Sequence, residues 1–151
     1  MADVALRLDR QLCFSVYAAT RALEAAYRPL LAPFGLTYPQ YLVLLVLLEA
    51  DGAPVREIGA RLHLDSGTLS PLLKRLEAAG FVARRRRATD ERVVEIHLTA
   101  AGKRLERRLG RVPRALAACT GLSLREIDRL RTELTTLTET LRTQPESETT
   151  P

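Results

Sequence analysis

One thiol and four phenols share a short stretch near the start of the chain. The segment LDRQLCFSVYAATRALEAAYRPLLAPFGLTYPQY, Leu8 to Tyr41, holds Cys13 together with Tyr17, Tyr27, Tyr38 and Tyr41, all four tyrosines of the protein. A thiol attacks as its thiolate, which nearby hydrogen-bond donors or positive charge favour. A phenol offers such a donor on an otherwise apolar ring. The grouping predicts a poised cysteine in an apolar pocket. The second cysteine, Cys119, lies far downstream. Two such thiols are either inert core residues or a redox pair.

The element that must carry Cys13 restricts what it can meet. Leu12, Val16, Ala19 and Leu23 recur at helical spacing, which predicts a helix from about Asp9, as N-cap, to Leu31, with Pro33 and Gly35 ending it. Cys13 then sits about one turn from the positive end of the helix dipole, where an anion is favoured. Tyr17, four residues on, shares its face. Tyr27 returns to nearly the same face, but fourteen residues of helix separate it from Cys13 by roughly 21 Å. In a continuous helix the two cannot touch within one chain. Tyr27 can reach Cys13 of a second chain packed antiparallel across a two-fold axis, so a pocket built from these residues belongs to a dimer.

Downstream, Thr37 and Gln40 form a capping box with Pro39 in the first turn, opening a helix that runs to Asp51-Gly52. Its run LVLLVLL, Leu42 to Leu48, is far shorter than the roughly 20 residues a bilayer requires and reads as a buried helix. A short helix, Pro54 to Leu62, is joined by HLDSG to TLSPLLKRLEAAG, ending at Gly80. Two short helices so connected, the second rich in Ser, Thr, Lys and Arg, read as a helix-turn-helix. Pro71 leaves two starts for the second helix. One is at Pro71 itself, capped by Ser70. The other is earlier, capped by Asp65 or Ser66, and gives up the hydrogen bond to the Gly67 carbonyl.

From Phe81 to Leu98 the chain turns β-branched and alternating. FVARRRR and RVVEIHL flank Ala-Thr-Asp-Glu and read as a hairpin, with Val94, Ile96 and Leu98 on one side and Glu95 and His97 on the other. Thr99 caps the next helix, interrupted near Gly110 and Pro113, with Cys119 late in it. Gly121 stops it, and Ser123 with Glu126 forms a second capping box. The last helix runs to about Leu141 with leucines and Ile127 on one side. The tail TQPESETTP is polar and reads as disordered.

Composition agrees with this order. The chain has 151 residues and a net charge of +5, from 23 Lys+Arg against 18 Asp+Glu. That charge favours a polyanionic partner. Leu, Ala and Arg dominate and only 5% of residues are aromatic, which predicts a mostly helical chain. The start MADVALRLDR has neither the apolar core nor the cleavage site of a signal peptide, which predicts a cytoplasmic location. A constitutive disulfide is not expected in that compartment. His63 and His97 are far apart and outside any metal-ligand spacing. No GxGxxG, P-loop or GxSxG motif is present, so neither a cofactor nor an enzyme is expected.

The stretches LDRQLCF, YRPLLAPFGLTYPQYLVLLVL, LDSGTLSPLLKRLEAAG and TDERVVEIHLTAAG resemble the MarR family of winged-helix regulators, and within it the organic hydroperoxide resistance regulators (OhrR). The resemblance covers roughly Leu8 to Lys103. It implies a mainly α fold with a small β wing, a winged helix-turn-helix with N- and C-terminal dimerisation helices. The parts would be a sensor and dimerisation helix at 1–35, the DNA-binding region at 36–99, C-terminal dimerisation helices at 100–143 and a disordered tail at 144–151, all in one structural domain. It favours the earlier start for the second helix-turn-helix element.

What the resemblance implies about chemistry is specific. The reactive cysteine matches Cys13, with Tyr27 and Tyr38 reaching its sulfur across the dimer and Tyr17 lining the site. Cys119 matches by position the resolving cysteine of one branch. An organic hydroperoxide would oxidise Cys13 to the sulfenic acid, Cys119 of the partner chain would condense with it, and the resulting intersubunit disulfide would release pseudo-palindromic operator DNA. Ser66, Thr68, Ser70, Lys74 and Arg75 would face the major groove. At the wing, Arg84, Arg85, Arg86 and Arg87 would meet phosphates, and Arg92, its guanidinium oriented by Asp90, would enter the minor groove. Two other readings use the same residues. A repressor released by a noncovalent phenolic or drug-like ligand would not need Cys13, and a thiol peroxidase would not need the wing.

Overall fold

The structure, a computed structural model, describes residues 6–143; the tail at 144–151, expected to be disordered, lies outside them. Two compact units are present, Met1–Pro113 and Arg114–Pro151.

The first unit is built around a helix that is apolar all round. Helix α1 spans Leu12–Leu31, a single 3-10 turn follows at Ala32–Phe34, and α2 spans Tyr38–Glu49. The predicted capping box opens α2: the Thr37 N–H donates to Gln40 Oε1 at 2.9 Å. Val43, Leu44, Val46 and Leu47 of α2 are buried, and α2 packs against α1, α3 (Val55–Leu62), α4 (Ser66–Ala78), α5 (Ala100–Leu109) and the last strand. Leu31, Ile58, Leu69, Leu73, Leu76, Ile96 and Leu109 close the same core. Burying one such leucine contributes about 1.5–3 kcal/mol. Among the described residues no single helix is long and apolar enough to cross a membrane.

The sheet has three antiparallel strands in the order β1-β3-β2, with β1 at Ala53–Pro54, β2 at Val82–Arg87 and β3 at Asp90–Leu98. The hairpin was legible; β1 was not. It is two residues long, contains a proline, and exists only because Ala53 pairs with Ile96 and Pro54 with Glu95. The turn is also shorter than expected. Ala88 and Thr89 make it, Asp90 and Glu91 already belong to β3, and a bulge lies between Arg86 and Arg87. Ile96 and Leu98 are buried as the alternation requires. On the other side Glu95 pairs with both Arg87 and His97.

Two helix starts differ from or decide the sequence reading. Asp9 does not cap α1. Its carboxylate is held by the Arg7 guanidinium at 3.0–3.1 Å, a 3-10 turn occupies Leu8–Arg10, and Gln11 is the N-cap. Cys13 is therefore the second residue of α1. Helix α4 takes the earlier of its two starts. The Asp65 carboxylate accepts from the Thr68 N–H at 2.8 Å and from the Thr68 hydroxyl at 3.0 Å, and Pro71 is carried inside the helix.

A hydrogen-bonded tether joins the end of α2 to the base of the hairpin. The Leu98 N–H donates to Asp51 Oδ1 at 2.7 Å, and Lys103 Nζ lies 3.0 Å from Asp51 Oδ2. Burial pushes the Asp51 carboxyl up, but the Leu98 N–H, the Lys103 ammonium and nearby His97 outweigh it and hold it below its ordinary 3.8. A carboxyl depressed in the folded state stabilises the fold above its unfolded value, and the contribution disappears as pH falls through the folded one. Asp51→Asn is expected to cost about 1 kcal/mol at neutral pH, the side chain being partly exposed. The difference from native should shrink below about pH 4, which urea melts at pH 7 and pH 3 would show.

Thr99 organises the next junction. Its N–H donates to the Phe81 carbonyl at 3.0 Å, its hydroxyl donates to the Gly80 carbonyl at 2.6 Å, and its oxygen accepts from the Gly102 N–H at 3.1 Å to cap α5. Helix α6 spans Val112–Thr120 and α7 spans Leu124–Thr143. In the second unit Gly121, at φ +68°, ends α6, and the Ser123 N–H donates to Glu126 Oε2 at 2.8 Å to start α7, as the capping pattern predicts.

Candidate functional site

Cys13 is an exposed free thiol. Beside it on α1 stand Leu12, 63% exposed, and Tyr17, 60% exposed, with the Arg21 guanidinium 5.9 Å from the Tyr17 ring centre. The other three tyrosines form a separate cluster. The Tyr27 ring lies 4.6 Å from that of Tyr38 and 5.7 Å from that of Tyr41, and Tyr38 and Tyr41 are 6.5 Å apart, centroid to centroid. Helix α1 is unbroken from Leu12 to Leu31, so Tyr27 stands roughly 21 Å along it from Cys13.

Tyr41 was not singled out with Tyr27 and Tyr38, yet it is the buried floor of the cluster, 1% exposed. The signal was available: Tyr38 and Tyr41 are three apart on a capped helix and share a face. Burial, then the neighbouring Tyr38 and Tyr41, pushes the Tyr27 phenol up to about 12. Burial and the Glu24 carboxylate raise Tyr38, and burial and Tyr38 raise Tyr41. These phenols stay protonated at neutral pH and can act as O–H donors. Cys119 is likewise an exposed free thiol, the penultimate residue of α6.

The second candidate region is α4 with its hairpin. Leu69, Leu72, Leu73 and Leu76 are buried, while Ser66, Thr68, Ser70, Lys74 and Arg75 are exposed around the rest of the helix. Glu77 ties the hairpin to α4: its carboxylate accepts from the Arg84 guanidinium at 3.2 Å and the Arg84 N–H at 3.4 Å.

The arginines of the hairpin are thus not equivalent. Arg84 is paired with Glu77, Arg87 with Glu95, and Arg86 Nη1 donates to the Glu91 carbonyl at 3.0 Å. Lys74, Arg75, Arg85 and Arg92 are exposed and have no acidic partner within salt-bridge distance among the described residues. Asp90 does engage Arg92, but its Oδ1 accepts from the Arg92 backbone N–H at 3.1 Å rather than from the guanidinium. Here it shapes the hairpin tip and leaves the Arg92 charge free.

Two short helices with a polar turn, followed by a hairpin bearing free cations, define a winged-helix regulator. The comparisons agree. A family model described as transcriptional regulator SarA/Rot matches residues 25–109. The organic hydroperoxide resistance transcriptional regulator of Bacillus subtilis is 42% identical over 90% of this chain and 92% of its own. The HTH-type transcriptional regulator TtmR of Methylorubrum extorquens is 58% identical over 79% of this chain, which spans 61% of that longer protein. The solved structure of reduced AbfR bound to DNA superposes with a TM-score of 0.78 at 39% identity, covering 94% of this chain and 97% of that one. The protein belongs to the MarR/SarA family of winged-helix transcriptional regulators, and is a DNA-binding regulator of the MarR/OhrR type.

Proposed function

We propose that the protein is a homodimeric repressor that senses organic hydroperoxides through Cys13 and leaves its operator when Cys119 of the partner chain captures the oxidised sulfur. The observation that carries this reading is the separation within one chain. An exposed thiol heads α1, while the protonated phenols that would activate it cluster at the far end of that helix, where Tyr27 meets Tyr38 and Tyr41 of α2. The apolar side chains around the thiol are uncovered. A second copy, antiparallel across a two-fold axis, would cover them and bring its Tyr27 and Tyr38 to the sulfur. The similarity to the Bacillus subtilis hydroperoxide resistance regulator supports the choice of oxidant.

The chemistry balances in two steps. The Cys13 sulfur attacks the outer oxygen of the hydroperoxide, the O–O bond breaks, and the sulfenic acid and an alcohol result. The Cys119 sulfur then attacks the sulfenic sulfur, the S–O bond breaks, and the departing hydroxide takes up the proton lost by the Cys119 thiol, giving the disulfide and water. Intact mass, denatured but unreduced, tests this after one equivalent of cumene hydroperoxide. A dithiothreitol-sensitive covalent dimer supports both roles. A monomer bearing one added oxygen keeps Cys13 as sensor and removes Cys119. An unmodified chain leaves a repressor released by a noncovalent ligand.

On DNA, α4 would occupy the major groove with Ser66, Thr68, Ser70, Lys74 and Arg75, and Arg92 would enter the minor groove. Arg85 and Arg86 would meet phosphates, while Arg84 reaches the backbone only with its Glu77 pair. Arg92→Ala is expected to weaken operator binding at least about tenfold. It should also flatten the salt dependence by about one unit, with Cys13 oxidised at the native rate. Anisotropy titrations from 50 to about 200 mM salt read both. Unchanged affinity would take the hairpin tip out of the interface.

A further inference from the structure

The residue at the centre of the exposed face of α4 is a proline. At 3.6 residues per turn, Gly67, Pro71, Lys74 and Ala78 fall within about 60° of one another, directly opposite the buried Leu69, Leu72, Leu73 and Leu76. Pro71 is exposed, and with Ser66, Gly67, Ser70, Lys74 and Arg84 it lines a shallow groove on that face. Proline belongs in the first turn of a helix, and α4 starts five residues earlier at Ser66. At this depth it removes an N–H and leaves the Gly67 carbonyl without its intrahelical donor. Nothing in the packing asks for it: the ring faces outward and the helix runs through to Ala78. No other exposed position on the face, from Ser66 to Arg75, offers a comparable rigid apolar surface. The small Gly67, one turn back, lets a partner come close.

A major groove presents one apolar feature, the C5 methyl of thymine; every other base-edge group there is a hydrogen-bond donor or acceptor. Pyrrolidine has no N–H to satisfy any of those. We infer that Pro71 is a specificity-determining residue that packs on the methyl of one thymine in each operator half-site, between the polar contacts of Ser70 and Lys74. The inference rests on the assignment of α4 to the major groove.

The test couples the ring to the methyl. A duplex enriched by the native protein from a random-sequence library is resynthesised with each thymine replaced in turn by deoxyuridine, which lacks only that methyl. The native protein is expected to lose about threefold to fivefold in affinity at one position per half-site. Pro71→Ala is expected to be indifferent at that position and to keep native sensitivity at the others. The variant regains the helix hydrogen bond, so its melting temperature should rise, and loss of binding would not reflect unfolding. An identical deoxyuridine profile in native and variant protein, or no sensitive thymine, overturns the inference. Ser70→Ala and Lys74→Ala separate the two levels. If neither lowers affinity, α4 is not in the groove and the assignment beneath fails. If they do and Pro71→Ala leaves the profile unchanged, only the proline contact falls.

Discussion

Cys13→Ser is expected to bind operator DNA with native affinity and to stay bound at hydroperoxide doses that release the native protein completely. Cys13 is the second residue of α1, and its side chain is exposed, so serine removes the nucleophile and almost nothing of the fold. The proposed DNA-binding surface, α4 and the hairpin, contains no atom of Cys13. Release would then require a covalent event that the variant cannot begin. Cys119→Ser should behave differently: it stops at the sulfenic acid, and mass spectrometry should find one added oxygen instead of a covalent dimer. Anisotropy titration with cumene hydroperoxide distinguishes these outcomes. Native-like release of Cys13→Ser would eliminate the thiol as the trigger and favour a noncovalent ligand. The phenols should act through rate alone. Replacing Tyr27 or Tyr38 with Phe keeps the ring cluster and removes a donor, so oxidation should slow while operator affinity holds.

Gly102→Ala is expected to cost about 3 kcal/mol, lowering the melting temperature by roughly 10 °C. A Cβ at position 102 would lie 2.2 Å from the Phe81 carbonyl oxygen, 3.2 Å from that carbonyl carbon and 3.1 Å from Leu98 Cδ2. The first two partners are backbone, and that same carbonyl accepts from the Thr99 N–H. It cannot retreat without breaking the junction where β3 enters α5. Alanine is otherwise the best helix former, so propensity alone predicts a stabilisation of about 1 kcal/mol. The two arguments give opposite signs, and a thermal melt decides between them. A variant melting within about 2 °C of native would mean the junction relaxes at little cost. Operator affinity should fall with stability here, because the junction anchors both strands of the hairpin.

These two sites differ in how much of them could be read in advance. Cys13 and its tyrosines stand out by type and spacing, and helix rise alone forbids a contact between Cys13 and Tyr27 in one chain. Gly102 has no such signature. In sequence it is one small residue in Thr-Ala-Ala-Gly-Lys, and only the approach of Phe81, twenty-one positions earlier, makes its missing Cβ necessary. Asp9 shows the converse. It has the right type and place for a cap, but an exposed carboxylate takes whichever donor is nearest, and Arg7 reaches it first.

By itself the sequence determined the order of the long helices and the hairpin, the caps at Thr37, Thr99 and Ser123, and the inward side of the hairpin, because each depends on residues three or four apart in a helix or two apart in a strand. Tertiary structure decided what those rules do not reach. Strand β1 exists only against β3. Asp51 finds the Leu98 N–H forty-seven residues away. Tyr41 becomes the floor beneath Tyr27 and Tyr38, and Glu77 claims Arg84 and leaves Arg85 and Arg92 free. Local periodicity encodes which face a residue occupies, whereas the identity of its partner is set when separate segments come within a few ångströms.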